Sequence, residues 1–236
     1  MLRDDVVTAP DETTETTVSR SDLVYTTLRD QIIHGVLRPN EALVELDLAE
    51  RLQVSRTPVR DALRRLADDG MIIVRRRRWV VREHTREEII ELYELRAALE
   101  SHAARLAAVR ATDQEVTAMR DFQQPATTFK DTANEVIARQ WVDANGRFHG
   151  LVNRASRSSQ IYHALEKNWL YHFNFRVAAM YSPEDRETST RQHVELIEAI
   201  SGRDPERAGA VAREHVEFSL ALLLRLSPNL ARSGAR

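Results

Sequence analysis

The sequence predicts a mainly α-helical protein with two parts: short helices and a hairpin in front, and an all-α bundle of six or seven helices behind. Gly and Pro are sparse, at 7 each in 236 residues, which argues against sandwich and barrel folds because those need many tight turns. Apolar residues are spaced as in long helices from about Thr85 onward, whereas the segments before it are short. The absence of cysteine excludes a disulfide framework and a thiolate zinc site.

The charge of the chain is unevenly distributed. The formal net charge is -2, but residues 20–83 hold 13 Arg against 10 Asp and Glu, so this region carries about +3 and the rest about -5. A basic front and an acidic rear fit a nucleic-acid-binding module attached to a domain with another role. No run of 18 apolar residues and no signal peptide is visible, which predicts a cytoplasmic protein without a membrane partner.

The front part follows a polar tail, residues 1–20, which we expect to be disordered. Gly35 is a suitable C-cap for a first helix, Asn40 tolerates a left-handed turn after Pro39, and Pro58 suits the first turn of a third helix. Gly70 then ends that third helix. The predicted elements are helices at about 22–34, 45–52 and 56–69, followed by strands at 72–74 and 79–81.

The second and third helices have the form of a helix-turn-helix, whose second helix enters the DNA major groove. Ser55 or Thr57 caps the third helix, and its free N–H groups and positive dipole end suit phosphate oxygens. The hydroxyls of Ser55 and Thr57 can bond phosphate or base edges, and Arg56 and Arg60 can reach guanine bidentately. The sequence therefore predicts a DNA-reading surface at the start of this helix.

Four consecutive arginines join the two predicted strands. Arg75, Arg76, Arg77 and Arg78 would form a wing whose tip suits phosphates or a narrow minor groove. A run of charges is by itself often only a solvated turn. Directly after a helix-turn-helix, we expect these arginines to contact DNA.

The front part resembles the winged helix-turn-helix of GntR-type bacterial transcription regulators from Leu23 to Val81. The matching residues include Leu48-Ala49-x-x-Leu52, and the most specific part is the run that follows, Val54-Ser55-Arg56-Thr57-Pro58-Val59-Arg60. The resemblance implies DNA binding by Ser55, Arg56, Thr57, Arg60 and the wing. Asn40 stands where glycine is usual, and Leu46 stands where some members carry a DNA-contacting arginine. Helix-turn-helix dimers match their own two-fold symmetry, so we expect a homodimer on a pseudo-palindromic double-stranded operator.

The rear part, residues 84–228, contains polar side chains on otherwise apolar helical stripes. Its predicted helices span about 86–110, 113–123, 130–155, 158–180, 184–202 and 205–226. The polar residues on these stripes are Arg96, Asn145, His149, His193 and His215. One such residue is usually a satisfied core residue, but several converging imidazoles need partners, and one divalent ion would satisfy them all. Three histidines with one oxygen ligand suit Zn, Ni, Mn or Fe.

The rear part also resembles the helical FCD ligand-binding domain of the FadR-type GntR regulators. The matching pieces are Tyr93-x-Leu95-Arg96-x-x-Leu99-Glu100, Asn145 with Phe148-His149, His193 with Ile197-x-Ala199-Ile200, and Ala208 with His215. The resemblance implies metal binding by Asn145, His149, His193 and His215, although many relatives have Asp at the position of Asn145. It also implies a small carboxylate effector, for which Arg96 is the first candidate anchor and Arg176 the second.

We interpret the sequence as that of a metabolite-responsive transcription regulator and not an enzyme. Repression is favoured over activation because it is the more common role in the family that the chain resembles. One alternative is a metal-dependent helical-bundle enzyme. Against it, no nucleophile–base pair, Gly-rich phosphate loop or His-Glu-x-x-His motif is visible, although Glu214-His215 is a fragment of one. Another alternative is a DNA-binding regulator with an empty or purely structural metal site.

Overall fold

The computed structural model describes residues 19–123, 135–169 and 180–226. The mainly α-helical fold is confirmed, and one small sheet accompanies the helices. The helices are α1 Arg20–Ile33, α2 Glu45–Arg51, α3 Arg56–Asp68, α4 Arg86–Arg110, α5 Asp113–Gln123, α6 Glu135–Ala155, α7 Ser159–Trp169, α8 Pro183–Ser201 and α9 Pro205–Leu226. The strands are β1 Ala42–Leu43, β2 Ile72–Arg75 and β3 Arg78–Val81. None of the helices within the described residues is long and apolar enough to cross a membrane.

The front of the chain has its own hydrophobic core beneath the recognition helix. Val59, Leu63 and Leu66 of α3 are completely buried against the apolar sides of α1 and α2. The sheet closes this core in the antiparallel order β1-β3-β2. The packing holds α3 by its apolar face and leaves its polar face exposed.

Several predicted boundaries need correction. The expected disordered tail ran to residue 20, but Arg20 begins α1 and the hydroxyl of Ser19 accepts a 3.1 Å hydrogen bond from the Asp22 N–H. Residues 1–18 lie outside the described residues. The predicted helix at 158–180 was too long at its end, since Met180 lies in a turn. Residues 130–134 and 170–179 of two predicted helices also lie outside the description.

The rear part is a bundle in which α4 packs along α9. Small residues allow the two backbones to approach closely. The Ser101 hydroxyl donates to the Gly209 carbonyl at 2.9 Å, and a Cβ on Gly209 would lie 2.6 Å from Arg105 Cγ. Capping boxes start α4 at Thr85 and α8 at Ser182, where each N-cap side chain and the carboxylate three residues later satisfy helix-end N–H groups.

Candidate DNA-binding surface and metal centre

The residues predicted to read DNA lie together at the exposed start of α3. Ser55 occupies the N-cap with φ -72° and ψ 168°, and its hydroxyl makes no capping hydrogen bond. Thr57 is exposed, and the side chains of Arg56 and Arg60 are 61% and 47% exposed. The helix therefore presents two hydroxyls and two guanidinium groups around its positive dipole end.

Glu45, at the start of α2, holds the two arginines side by side. Arg60 donates to its carboxylate from Nη2 at 2.9 Å and from Nε at 3.2 Å. Arg56 Nη2 lies 3.5 Å from the same carboxylate. These contacts, the hydrogen bond from Arg60 first, lower the pKa of Glu45. This contact could not be predicted from the sequence, because the two helices meet only in the folded domain.

The four wing arginines are all exposed, and they form a tight hairpin. Arg75 pairs with Arg78 across the hairpin. The central Arg76 and Arg77 have φ of 49° and 65°, as in the type I′ turns that join two-residue hairpins. An L-residue other than Gly or Asn costs roughly 1–2 kcal/mol in this left-handed region. The wing therefore places positive charge on a turn whose two central residues have a strained backbone conformation.

His149 of α6, His193 of α8 and His215 of α9 converge in the rear bundle. One ring nitrogen from each histidine lies within 4.8 Å of the others. All three side chains are buried. Nε2 of His193 and Nε2 of His215 are 3.2 Å apart. Two imidazole nitrogens on one tetrahedral zinc ion are about 3.3–3.4 Å apart, given Zn–N bonds of about 2.0–2.1 Å, so this geometry fits a shared ion.

Neighbouring polar groups set which nitrogen is available in two of the three rings. His149 Nδ1 lies 3.0 Å from Glu100 Oε2, and His215 Nδ1 lies 3.0 Å from Gln192 Oε1. Because both partners are oxygen acceptors, each Nδ1 carries the proton, and in the neutral ring the Nε2 lone pair remains for a metal. Burial lowers the pKa of His193 and of His215 well below the usual value. Neutral imidazole is the form that binds metal ions.

Arg96 reaches the histidine cluster through Glu100. Its Nε donates to Glu100 Oε1 at 2.5 Å, and both side chains are buried. Burial acts to raise the pKa of Glu100, but the charge of Arg96 and the contact with His149 outweigh it, so the net shift is downward. An ionised Glu100 therefore joins Arg96 to His149. No role was predicted for Glu100 from the sequence, although its spacing four residues after Arg96 is a recognisable ion-pair signal.

Asn145 is the fourth predicted ligand and lies one turn before His149 on α6. Its side chain is 4% exposed, and neither amide atom has a hydrogen-bond partner within the described part of the chain. A buried amide in this state is costly unless a ligand or ion completes it. Three neutral imidazoles and an amide oxygen fit a divalent transition metal. Arg176, the second candidate anchor for an effector, lies outside the described residues.

A winged helix with an arginine-rich surface, joined to a helical bundle with a buried histidine cluster, is the architecture of a DNA-binding regulator with a second, helical domain. The family "Bacterial regulatory proteins, gntR family" matches residues 20–81, and the FCD domain matches residues 91–218. The chain belongs to the GntR family of transcription regulators and carries an FCD domain.

Individual relatives agree with this assignment. The chain is 30% identical over 190 residues to the Nta operon transcriptional regulator of Aminobacter aminovorans, with 80% of this chain and 87% of the relative covered. It is 24% identical to the HTH-type transcriptional repressor GlaR of Escherichia coli, over 81% of this chain and 90% of the relative. The solved structure of E. coli McbR/YncC superposes with a TM-score of 0.78 at 23% identity, covering 89% and 99% of the two chains. These relatives are regulators, so the enzyme alternative is rejected.

Proposed function

We propose that the protein is a metal-containing, ligand-responsive repressor that binds a pseudo-palindromic operator as a homodimer. In this proposal residues 21–83 form the DNA-binding domain, and residues 84–228 form the dimerising sensory domain. Repression is supported by the relative GlaR, which is named a repressor. The observation that carries the sensory part is the convergence of His149, His193 and His215 beneath the surface of the bundle.

We assign DNA contact to the start of α3 and to the wing. Arg56 and Arg60 would read base edges, with Ser55 and Thr57 on phosphates or bases. The wing arginines, Arg75 to Arg78, would contact the phosphate backbone, where their charge adds affinity without sequence information. The carboxylate of Glu45 fixes two of the reading guanidinium groups before DNA arrives, which reduces the entropy lost on binding.

The metal would be held by Asn145, His149, His193 and His215, with Zn, Ni, Mn or Fe as candidates. When bound, such an ion supplies a Lewis-acidic centre that can hold a small carboxylate. Glu100 orients His149 toward the ion, and Gln192 orients His215. Arg96 reinforces this arrangement from behind Glu100 and adds positive potential to the ligand side of the cluster.

Helix α6 connects the proposed sensory site to the DNA-binding part. It carries Asn145 and His149, and two residues before Asn145 it carries Asp143. Asp143 Oδ1 lies 3.3 Å from Nε2 of His34, at the end of α1. A ligand that moves α6 would therefore change how the DNA-binding part rests on the bundle. It can shift that equilibrium only by binding the two arrangements with different affinity.

The DNA assignment is tested with duplexes that the wild-type protein selects from a random library. Arg56→Ala combined with Arg60→Ala should reduce affinity for the selected duplex by at least about 10-fold, since each bidentate base contact is worth about 1–3 kcal/mol. Arg213→Ala, an exposed arginine on α9, is the matched control and should bind like wild type. Unchanged affinity of the double variant, with circular dichroism showing an intact fold, would refute the assignment.

A further inference from the structure

A cavity lies where the end of α1 approaches α6 and α7. We call it the junction cavity, and its lining comes from α1 (Arg29 to His34), α6 (Val142 to Arg154) and α7 (Tyr162 to Glu166). Its volume is about 490 Å³, which is a usual size for a small-molecule site. None of the four proposed metal ligands lines it, so the junction cavity is separate from the histidine cluster.

Two arginines of α6, Arg147 and Arg154, line the junction cavity. They are seven residues apart, so they lie on nearly the same helix face, about 10 Å apart along the axis. Both are exposed, and neither guanidinium makes an ion pair or a hydrogen bond with any residue that the structure describes. Their N–H donors are therefore available to a ligand.

Gly150 allows these two guanidinium groups to approach each other. A Cβ built on Gly150 would lie 3.3 Å from Arg154 Nη1 and 3.7 Å from its Nη2. The Arg154 side chain therefore folds back along α6 over Gly150, which brings its charge to within about one turn of Arg147. Two positive groups at this separation repel each other, and an anion between them removes the repulsion.

The three carboxylates of the lining contact groups other than the two α6 arginines. These contacts are Asp143 Oδ1 with His34 Nε2 at 3.3 Å, Glu166 Oε1 with the Tyr162 hydroxyl at 2.8 Å, and Asp30 Oδ1 with Arg29 Nη1 at 3.5 Å. The formal charges of the lining balance, but the acids lie against other donors. The α6 side of the junction cavity is therefore locally positive.

Further donors line the junction cavity from both parts of the chain. Arg29 lines it from α1, and its 3.5 Å ion pair with Asp30 engages only part of a guanidinium group that has five N–H donors. Asn153 lines it from α6 and is 6% exposed, so its amide is held in place by the bundle. An anion at this position would thus meet donors from the DNA-binding part and from the bundle at once.

We propose that the junction cavity binds a phosphate monoester, with the phosphate group between Arg147 and Arg154 and within reach of Arg29. Guanidinium forks match phosphate oxygens bidentately. A phosphate monoester carries a charge of about -1.5 to -2 at pH 7, so it can neutralise two guanidinium groups, which one carboxylate cannot. The volume admits a sugar phosphate. This site goes beyond the proposed metal-based function and does not depend on it.

The ligand would join α1 to α6, so it would favour the arrangement in which the DNA-binding part rests on the bundle. It can do so only by its higher affinity for that arrangement. A donor from each part is therefore a requirement of the proposal, and Arg29 is the donor that α1 supplies.

The test is isothermal titration calorimetry of the full-length protein with ribose 5-phosphate at fixed ionic strength, with ribose as the uncharged probe. Wild type should bind ribose 5-phosphate and not ribose. Arg147→Gln combined with Arg154→Gln should weaken the Kd at least about 10-fold, because two charged hydrogen-bond donors are lost. Arg191→Gln combined with Arg213→Gln is the matched control. It removes the same charge from exposed positions of α8 and α9 and should bind as wild type.

Two single variants test the geometry. Arg29→Gln should weaken the Kd at least about 3-fold, because α1 loses its donor. Gly150→Ala should also weaken binding, because the added methyl group displaces the Arg154 guanidinium. The same change should raise the unfolding temperature of the ligand-free protein, because alanine is the better helix former and the exposed arginine can move aside. Weaker binding by a more stable protein cannot result from partial unfolding.

Four results would overturn the inference. The absence of ribose 5-phosphate binding to wild type would reject the site. An equal Kd for wild type and the Arg147→Gln, Arg154→Gln variant would place the phosphate on another surface. Equal weakening in the matched control would show a general effect of charge, and an unchanged Kd in Arg29→Gln would reject the link to α1. His193→Ala combined with His215→Ala should bind ribose 5-phosphate as wild type does, so failure of the metal centre is seen separately.

Discussion

The strained tip of the wing allows its stability and its DNA contacts to be separated by mutation. Arg76 and Arg77 occupy the two positions of a type I′ turn with φ of 49° and 65°. Asn followed by Gly is the preferred pair at these positions. We therefore predict that Arg76→Asn combined with Arg77→Gly stabilises the hairpin and weakens DNA binding at the same time.

The size of both effects follows from the turn. Relief of left-handed strain at about 1–2 kcal/mol per residue is worth about 2–4 kcal/mol for the two residues if it is complete, and at least about 1 kcal/mol if it is partial. For a domain of about 60 residues this raises the unfolding temperature by at least about 4 °C. Each lost phosphate contact lowers the slope of log affinity against log salt by about 0.9, so two lost arginines lower it by up to about 1.8 per protomer.

Calorimetry and fluorescence-anisotropy titrations at several KCl concentrations measure the two effects. Arg75→Asn combined with Arg78→Asn is the matched control, because it removes two wing charges from residues that lie in the strands. That control should lower the salt slope without raising the unfolding temperature. If Arg76→Asn with Arg77→Gly left the domain no more stable than wild type, the turn geometry would be wrong. An unchanged salt slope would show that the wing does not touch phosphate.

Three further predictions concern the rear bundle and its junction with the DNA-binding part. Glu100→Gln removes the charge that orients His149 and should weaken metal affinity about 10–100-fold by calorimetric titration; affinity equal to wild type would exclude this role. Burial lowers the pKa of His84 below 6.5, so its contribution to stability is present above pH 6.5 and is lost as the pH falls below it. His84→Gln should reduce this loss of stability at acid pH, measured as the free energy of unfolding in denaturant titrations at several pH values. An unaltered dependence of that free energy on pH would count against the assignment. Gly209→Ala should destabilise the bundle by about 1–3 kcal/mol, because the added Cβ meets Arg105 Cγ at 2.6 Å; a neutral effect would mean that α4 and α9 separate easily.

Features with local or periodic signals could be predicted from the sequence. Pro58 and the apolar spacing around Leu63 identify α3, and the helical stripes bring His149, His193 and His215 into one cluster. Strand β1 could not be predicted, because its two residues, Ala42 and Leu43, become a strand only by pairing with β3.

The polar contacts around the site were also beyond sequence reasoning. Gln192 lies one position before a predicted ligand, yet only the packing of α8 on α9 brings its amide oxygen to His215. Glu100 follows Arg96 by one helical turn, but only the packing of α6 on α4 brings its other carboxylate oxygen to His149. Whether a charge is paired depends on every helix around it, which a single helical stripe cannot reveal.

The central claim is that the three histidines and Asn145 form a metal centre in the sensory domain. Native mass spectrometry of the full-length protein, purified without chelator and then titrated with Zn, Ni, Mn and Fe ions, tests it most directly. We predict one tightly bound ion per chain in wild type, and none in the variant combining His193→Ala with His215→Ala. The absence of a bound ion from wild type throughout the titration, or an ion retained by the double variant, would contradict the account.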